Sequence, residues 1–314
     1  MMAKKSPEIV KKIQNYSYPE INYGYQHSVS FSQLQTYLSC PHKWQLQYKD
    51  NLGVYDYNIH MVFGSALHEA LQKYLTIMYD TSGAEADRFE INEFFKEQFF
   101  EIYNENLKRN KGIHFSSAFE MREFYKDGLE IINFIKKKRG AYFSKKGWYL
   151  VGVEIPLLIQ PNDFLGNTFF KGYLDLVMYH EPTNTFKIID IKTSTNGWNK
   201  WKKGDEKKTY QLILYKKYFS KQFKIPIEDI SVEFFIVKRK LYENVEFAQK
   251  RVQEFKPASG KNKTNKATKA LSDFISECFD TSGKIKNKEH VKFSGKQCDW
   301  CVFSEKNFCN RGKC

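Results

Sequence analysis

Two charged residues stand side by side in an apolar stretch of the chain. Asp190 and Lys192 lie within the Ile-rich segment Phe186–Thr193, whose composition predicts a β-strand. Because side chains alternate along a strand, Asp190 and Lys192 should share one face, while Ile189 and Ile191 point to the other. Charged side chains in such a setting are costly to bury without a partner, so a partner is expected nearby.

The preceding strand-like segment supplies that partner. Asp175 lies among apolar residues between Gly172 and Val177, and two carboxylates on adjacent strands offer the hard oxygen ligands that Mg²⁺ or Mn²⁺ prefers. A lysine beside them can orient a water molecule or stabilise charge on a phosphoryl oxygen. The pattern predicts hydrolysis of a phosphodiester, although a lone acid–x–lysine is more often a plain salt bridge in a sheet.

Cysteines form a second candidate site. The chain has six, and five of them lie in the last 37 residues: Cys278, Cys298, Cys301, Cys309 and Cys314. In a reducing compartment such a group indicates a metal site rather than disulfides. Two thiolates three positions apart, as in Cys298 and Cys301, can hold one ion or cluster from a tight turn. The fourth ligand is either Cys314, which would complete a small zinc knuckle, or the distant Cys40. Cys278 lies in a helical pattern and is predicted to be a core residue.

Composition excludes several classes of protein. With 27 Phe and 20 Tyr among 314 residues, the chain is too aromatic to be disordered. It has no run of 18 apolar residues, so no membrane span is predicted. The basic start Met1–Lys5 is not followed by an apolar segment, which argues against a signal peptide and favours the cytoplasm. A net charge of +14 fits a polyanionic partner, and it also fits a generally lysine-rich composition.

The elements that must position these residues form five regions. Residues 1–25 read as a tail, 26–148 as a helical region, 149–240 as an α/β core, 241–275 as a basic connector and helix, and 276–314 as the cysteine segment. The helical region is predicted to contain helices over 30–50 (with Ser30 and Gln33 as a capping box and a break at Cys40–Pro41), 62–80 and 86–139. In the core, three strands, a polar loop at 196–204, a helix over 205–223 and a strand over 230–238 follow each other. Residues 256–270 read as a basic, turn-rich connector.

The order of these motifs resembles the PD-(D/E)XK nuclease superfamily in its RecB-like form. The further matching motifs are a small-residue turn before His68, Glu154 on the first strand, and Gln211 with Tyr215 on the helix after the third strand. The resemblance implies a restriction-endonuclease-like mixed β-sheet core with an N-terminal helical elaboration and a C-terminal cysteine staple. It assigns metal binding to His68, Asp175 and Asp190 with the Ile191 carbonyl, catalysis to Lys192, and supporting roles to Glu154, Gln211 and Tyr215. Taken singly, His68 could be a core histidine, Glu154 a surface acid, and the last two packing residues.

The cysteine pattern is similar to that of iron–sulfur members of the same group, the AddB type and CRISPR-associated relatives. They carry one cysteine before the nuclease core and three after it. The resemblance implies that Cys40, Cys298, Cys301 and Cys309 hold a [4Fe–4S] cluster. The seven residues between Cys301 and Cys309 exceed the family's usual gap, which leaves Cys309 or Cys314 as the last ligand. Closing so long a loop would stabilise the fold by up to about 5 kcal/mol, by analogy with a disulfide.

DNA contacts are predicted in two segments. The loop after the Asp190 strand places two Trp among three Lys, which suits base stacking beside phosphate contacts: Trp198, Lys200, Trp201, Lys202 and Lys203. The alternative is a solvated loop whose Trp residues pack inward. From Lys238 to Lys269 there are ten Lys and Arg against three acids, beginning with Lys238 and Arg239. Salt-sensitive DNA binding is therefore expected.

The motifs together predict a metal-dependent DNA nuclease. By resemblance it would be an exonuclease of repair, recombination or phage DNA processing. No phosphate-binding G-x-x-x-x-G-K-[ST] motif is present, so a helicase or recombination protein that acts with it would be a separate chain. Two alternatives remain, a non-catalytic DNA-binding iron–sulfur protein of the same fold and a four-cysteine zinc protein.

Overall fold

The fold is a mixed α/β structure. The computed structural model describes residues 6–21, 26–161, 167–247, 249–305 and 308–309. Its strands are β1 (His27–Ser30), β2 (Trp148–Ile159), β3 (Thr168–His180), β4 (Thr185–Ser194), β5 (Ile230–Lys238) and β6 (Val252–Phe255). Its helices are α1 (Glu8–Gln14), α2 (Phe31–Ser39), α3 (Pro41–Trp44), α4 (Ile59–Asp80), α5 (Gly83–Arg88), α6 (Ile91–Arg109), α7 (Ala118–Tyr142), α8 (Lys200–Gly204), α9 (Glu206–Phe223), α10 (Lys261–Cys278) and α11 (Val302–Glu305).

The sheet divides along β3, where two strands share one edge, and we call the unpaired stretch between them (residues 172–175) the fork. β2 pairs antiparallel with one edge of β3. On the other edge, β1 pairs in parallel with Thr168–Lys171, and β4 pairs antiparallel with Leu176–His180. Between these two stretches, the described ladders give this edge of β3 no strand partner. Beyond the fork β4 pairs only with β5, which in turn pairs with β6. Asp175 is the last residue of β3 before the β4 ladder begins.

Both faces of the sheet are buried, by different helices. One face packs on α1, α2, α9 and α10 around Leu34, Phe219 and Phe274. The other packs on the layer of α4, α6 and α7, around Leu67, Phe95 and Ile132. β4 alternates as predicted, because Phe186 and Ile188 join the first core while Ile189 and Ile191 join the second. The face that Asp190 shares is therefore also covered by helices.

Two long helices flank the fork. α4 begins where the Asn58 side chain accepts a hydrogen bond from the Met61 N–H at 3.1 Å, and its apolar stripe packs against the sheet. α9 is capped at its start by Asp205, whose side chain accepts from the Lys207 N–H, and at its end by Lys224 in the left-handed region. None of the described helices combines the length and the apolar composition needed to cross a bilayer.

The predicted succession of strands and helices is confirmed over 148–238, with a restriction-endonuclease-like mixed sheet. Three details were wrong. Residues 261–278, read partly as a turn-rich connector, form α10, because Ala267, Leu271 and Phe274 make a buried stripe behind the lysines. The polar loop contains the short helix α8. Ser30 caps α2, but the Gln33 side chain bonds the Ser28 carbonyl, so the reciprocal bond of a capping box is not formed. α1, β1 and β6 were not predicted, and the segment read as a tail contains α1, whose Val10 and Ile13 are buried in the core.

Candidate active site

Asp175 is the centre of a hydrogen-bonded group at the fork. Its Oδ2 lies 2.8 Å from Nε2 of His68 on α4. The same oxygen accepts a hydrogen bond of 2.7 Å from the backbone N–H of Ile191 on β4. The carboxylate therefore bridges β3, α4 and β4 at the point where the strands separate. Two of the predicted motifs, which are more than 100 residues apart in sequence, are brought into direct contact.

Glu154 joins this group through an unusual backbone. It lies in β2 with a φ of +48°, a left-handed conformation that costs free energy for a residue with a side chain. Its Oε1 lies 3.6 Å from Nδ1 of His68. Gln72, one turn after His68 on α4, donates from Nε2 to Glu154 Oε1 at 2.7 Å and to the Asp175 carbonyl at 3.0 Å. Gln72 is buried, and it fixes the Glu154 carboxylate beside the histidine.

These three side chains fit a divalent metal ion. One ligand atom each from His68, Glu154 and Asp175 lie within 4.8 Å of one another, and in the described part of the chain they are the only such group. One imidazole and two carboxylates suit Mn²⁺ well, and the carboxylate oxygens suit Mg²⁺. Glu154, for which the resemblance implied a supporting role, lies in this group, and the ligand role of Asp190 stays a prediction.

Asp190 lies beside the group and is buried. Asp190 is only 1 % exposed, and neither of its carboxylate oxygens makes a hydrogen bond of good geometry with any described atom. Lys192 Nζ lies 2.8 Å from Oδ2 as an ion pair. Burial raises the pKa of Asp190 to about 7, and the Lys192 charge opposes that rise. A buried carboxylate with unused acceptor positions next to a histidine and an acid also fits a neighbouring cation.

The neighbouring charges set the protonation of His68 and Lys192. Burial by itself lowers the pKa of His68, but the hydrogen bond to Asp175 and the surrounding carboxylates outweigh it, so its pKa is raised. Burial likewise lowers the pKa of Lys192, and the charges of Asp190 and Asp175 reverse this, so its pKa is raised. Lys192 is therefore a cation at neutral pH.

A cleft of about 1110 Å³ opens over the group. α4 lines it with residues spaced four apart, which share one helical face: His60, Gly64, His68, Gln72 and Thr76. A Cβ at Gly64 would lie 3.2 Å from Oγ1 of Thr193, so glycine allows α4 to approach β4 closely. Lys192 and Ile191 line the opposite wall. The cleft gives an extended substrate access to the predicted metal ligands.

Gln211 and Tyr215 lie on the other side of β4. Tyr215 is buried, and burial raises its pKa. A Cβ at Gly172 would lie 2.8 Å from its ring, so the tyrosine packs directly on the fork. Gln211 lines a smaller depression together with Lys192. The structure therefore places both residues against the site, where Tyr215 packs behind it and Gln211 faces the solvent side.

The four cysteines of the predicted cluster line one cavity: Cys40, Cys298, Cys301 and Cys309. The Phe293 N–H donates to Cys40 Sγ, and the Cys298 thiol donates to the Phe293 carbonyl, both at 3.5 Å. Burial raises the pKa of Cys309, and the other three thiols raise it further. Cys314 lies outside the described residues, and Cys278 is buried in α10 as predicted for a core residue.

The predicted DNA contacts divide into exposed and buried residues. Trp201 is 86 % exposed, but Trp198 is 7 % exposed and packs on Phe234, so its predicted role in base stacking is wrong. The Arg239 guanidinium lies 2.6 Å from Asp127 and 3.3 Å from Glu123, and its DNA contact stays a prediction. The remaining predicted lysines have no described carboxylate partner: Lys200, Lys202, Lys203 and Lys238.

Sequence reasoning missed Gln72. Its signal was the spacing of four from His68 on the same helix, which places both side chains over the fork. A glutamine in an apolar helix stripe has no specific chemistry in sequence, so only the contacts with Glu154 and Asp175 identify it.

Comparison with known proteins identifies the family. The family model of the PD-(D/E)XK nuclease superfamily matches residues 28–309, which is most of the chain. A search of curated proteins finds no match. The family match extends from β1 to Cys309 and includes every residue of the candidate active site. Together with the fork, the three-ligand group and the Asp190–Lys192 pair, it shows that this chain belongs to the PD-(D/E)XK nuclease superfamily.

Proposed function

We propose that this chain is a divalent-metal-dependent DNA exonuclease. Membership of the superfamily implies a nuclease that hydrolyses phosphodiester bonds in DNA. The observation that carries the finer proposal is the convergence of His68, Glu154 and Asp175 in one cleft, beside the ion pair of buried Asp190 and half-buried Lys192. Exonucleolytic action, and a setting in repair, recombination or phage DNA processing with a separate helicase or recombination partner, rest on the RecB-like order of the motifs.

Each residue has a distinct part in the proposed reaction. His68, Glu154 and Asp175 would hold the metal, with Asp190 and the Ile191 carbonyl as further oxygen ligands. A bound Mg²⁺ or Mn²⁺ lowers the pKa of a bound water and polarises the phosphate. Lys192, protonated at neutral pH, stabilises the charge that develops on the phosphoryl oxygens. Gln72 keeps the Glu154 carboxylate in place, and Tyr215 supports the fork from behind.

The test is cleavage of end-labelled DNA, single- and double-stranded, with and without Mn²⁺. Wild type should degrade one or both forms only with metal, and labels at the 5′ or 3′ end should reveal successive removal of nucleotides. Asp190→Asn should be inactive, while Asp229→Asn, a change in a loop acid outside the site, should cleave like wild type. Equal cleavage by both variants would reject the mechanism. DNA binding without cleavage by wild type would favour a non-catalytic binding protein, and cleavage of closed circular DNA would reject exonuclease action.

We also propose that Cys40, Cys298, Cys301 and Cys309 hold a [4Fe–4S] cluster. The support is their common cavity, together with the order of one cysteine before the nuclease core and three after it. Protein purified without oxygen should be brown and contain about four iron atoms and four sulfides per chain. Cys309→Ser should lose the colour. Colourless protein with one zinc ion would reject the cluster, and colour retained in Cys309→Ser would point to Cys314 as the last ligand.

A further inference from the structure

We propose that a depression on the far side of Lys192 from the metal ligands is a phosphate subsite for the nucleotide next to the cleaved bond. This inference rests on the proposed nuclease function. The depression measures about 250 Å³ and shares Lys192 and Thr193 with the active-site cleft. A strand whose scissile phosphate lies at Lys192 would therefore place an adjacent nucleotide over it. Such a position is the first one beyond the reacting phosphate.

The walls of the subsite come from three helices of the fold. α2 contributes Gln35, α8 contributes Lys202, and α9 contributes Lys208 and Gln211. The floor consists of buried aromatic rings: Phe31, Trp198 and Phe234. The rim offers lysine charges and amide donors, which suit a phosphate and its sugar.

The charge of the subsite favours an anion. Of the described residues that line it, three are lysines and none is acidic: Lys192, Lys202 and Lys208. Lys192 is paired with Asp190, and Lys208 lies 3.2 Å from Asp205, which leaves Lys202 without a described acidic partner. Lys202 and Lys208 repel each other across the depression, and burial together with Lys208 lowers the pKa of Lys202. A phosphate between the two lysines would relieve that repulsion.

The composition of α2 supports the same assignment. Its nine residues, Phe31–Ser39, contain no charged side chain, in a chain with 50 Lys and Arg and 36 Asp and Glu. Its solvent face presents hydroxyls and amides, among which Gln35 is exposed at the subsite. The helix thus offers hydrogen bonds to a strand without placing an acidic group near its phosphates.

A double-mutant cycle tests the subsite directly. Each oligonucleotide in a labelled series carries one neutral methylphosphonate, and the position of the methylphosphonate moves along the strand. Binding is measured by anisotropy in EDTA, so that cleavage does not interfere, for single strands and for their duplexes. In wild type, the methylphosphonate at one position next to the scissile bond should weaken binding about tenfold. In Lys202→Ala/Lys208→Ala the same substitution should weaken it less than about twofold, and the salt dependence should fall by about one to two phosphate contacts.

The control is Lys137→Ala, an exposed lysine on α7 far in sequence from the subsite, which should keep the wild-type profile. Unchanged melting temperatures exclude misfolding of the variants. Coupling between the lysine changes and an internal methylphosphonate identifies the bound group as a diester phosphate. Coupling that appears only when the 5′ or 3′ phosphate of the strand is removed identifies the bound group as a terminal phosphate. Additive effects at every position would overturn the subsite. Because the readout is binding, a wild type that binds with this coupling but never cleaves would refute only the nuclease proposal.

Discussion

The two proposed metal sites are built in different ways. At the active site, the ligands come from the long elements α4, β2 and β3, and hydrogen bonds from Gln72 and Ile191 hold the carboxylates in place. At the cysteine site, Cys40 follows α2, while the other three lie in a segment with few regular elements. Between Phe279 and Cys309 the described structure has one isolated bridge, one 3₁₀ turn and the four-residue α11.

The difference concerns what each bound group contributes. Burial of the sheet by helices on both faces already fixes the fork, so a divalent ion adds chemistry to a site that the fold has formed. The cysteine segment has little core of its own, and the free energy of cluster binding would be part of its folding free energy. We therefore expect divalent metal to govern activity and the cluster to govern stability. The following predictions test this division in order of decreasing effect.

Replacing Asp175 should separate activity from stability most strongly. Asp175→Asn removes a metal ligand and should reduce cleavage by about a thousandfold. The unfolding free energy should fall by only about 1–2 kcal/mol, because one hydrogen-bonded group is exchanged for another. Cleavage assays with Mn²⁺ and urea denaturation measure the two quantities. A variant that loses its fold and its activity together would contradict a site formed by the fold alone.

Replacing Cys40 should give the opposite outcome. Cys40→Ser should abolish the brown colour and lower the unfolding free energy by up to about 5 kcal/mol, because the cluster closes a loop of most of the chain. Cys278→Ala is the matched control in α10, where a buried cysteine outside the cavity should cost roughly 1 kcal/mol and leave the spectrum unchanged. Chemical denaturation and visible absorption provide both readouts. Full stability in colourless Cys40→Ser protein would refute the structural role.

Trp198, just before α8, and Trp201, within α8, allow a packed tryptophan to be compared with an exposed one. Trp198→Ala removes a ring packed on Phe234 and should cost about 3–5 kcal/mol of stability. Trp201→Ala removes an 86 % exposed ring and should change stability by less than about 0.5 kcal/mol, so any loss of DNA affinity can be assigned to a lost contact. Equal destabilisation by both changes would show that the loop packs differently.

Gln72 should affect metal binding without being a ligand. Gln72→Ala removes both hydrogen bonds that fix Glu154 and the Asp175 backbone, and should weaken Mn²⁺ binding about tenfold. Gln72→Glu keeps the size but loses the donor, and it should weaken binding as well unless its added charge binds the ion. Calorimetric titration measures the affinities. Wild-type affinity in Gln72→Ala would mean that Glu154 needs no support.

Acid should weaken metal binding through His68. A metal ligand must be neutral imidazole, and the pKa of His68 is raised above its usual value by Asp175 and the nearby carboxylates against the effect of burial. As the pH falls through that raised pKa, protons compete with Mn²⁺, and the apparent affinity should fall by up to about tenfold per pH unit. Titrations between pH 6 and 8 measure the slope. Affinity that does not change over this range would exclude His68 as a ligand.

How far the sequence predicts this molecule depends on how local each signal is. The period-two pattern around Asp190 predicted β4, and the i, i+4 pattern around His68 predicted α4. Both patterns involve only residues that are close in sequence. The fork was not predictable, since it depends on where the β1 ladder ends and the β4 ladder begins on β3. For the same reason the sequence did not predict that Glu154 would lie beside His68 and Asp175, or that Trp198 would be packed on Phe234. The first part of α10 was read as a connector because its lysines concealed a buried stripe.

The central claim is that the fork itself forms a divalent metal site. Anomalous diffraction from crystals soaked in Mn²⁺ would locate the ion directly. We expect a single strong peak within coordination distance of His68 Nε2 and the carboxylates of Glu154 and Asp175, with Asp190 turned toward it and little movement of the backbone. A Mn²⁺ peak elsewhere in the chain, or none at the fork while the soaked protein still cleaves DNA, would contradict the account.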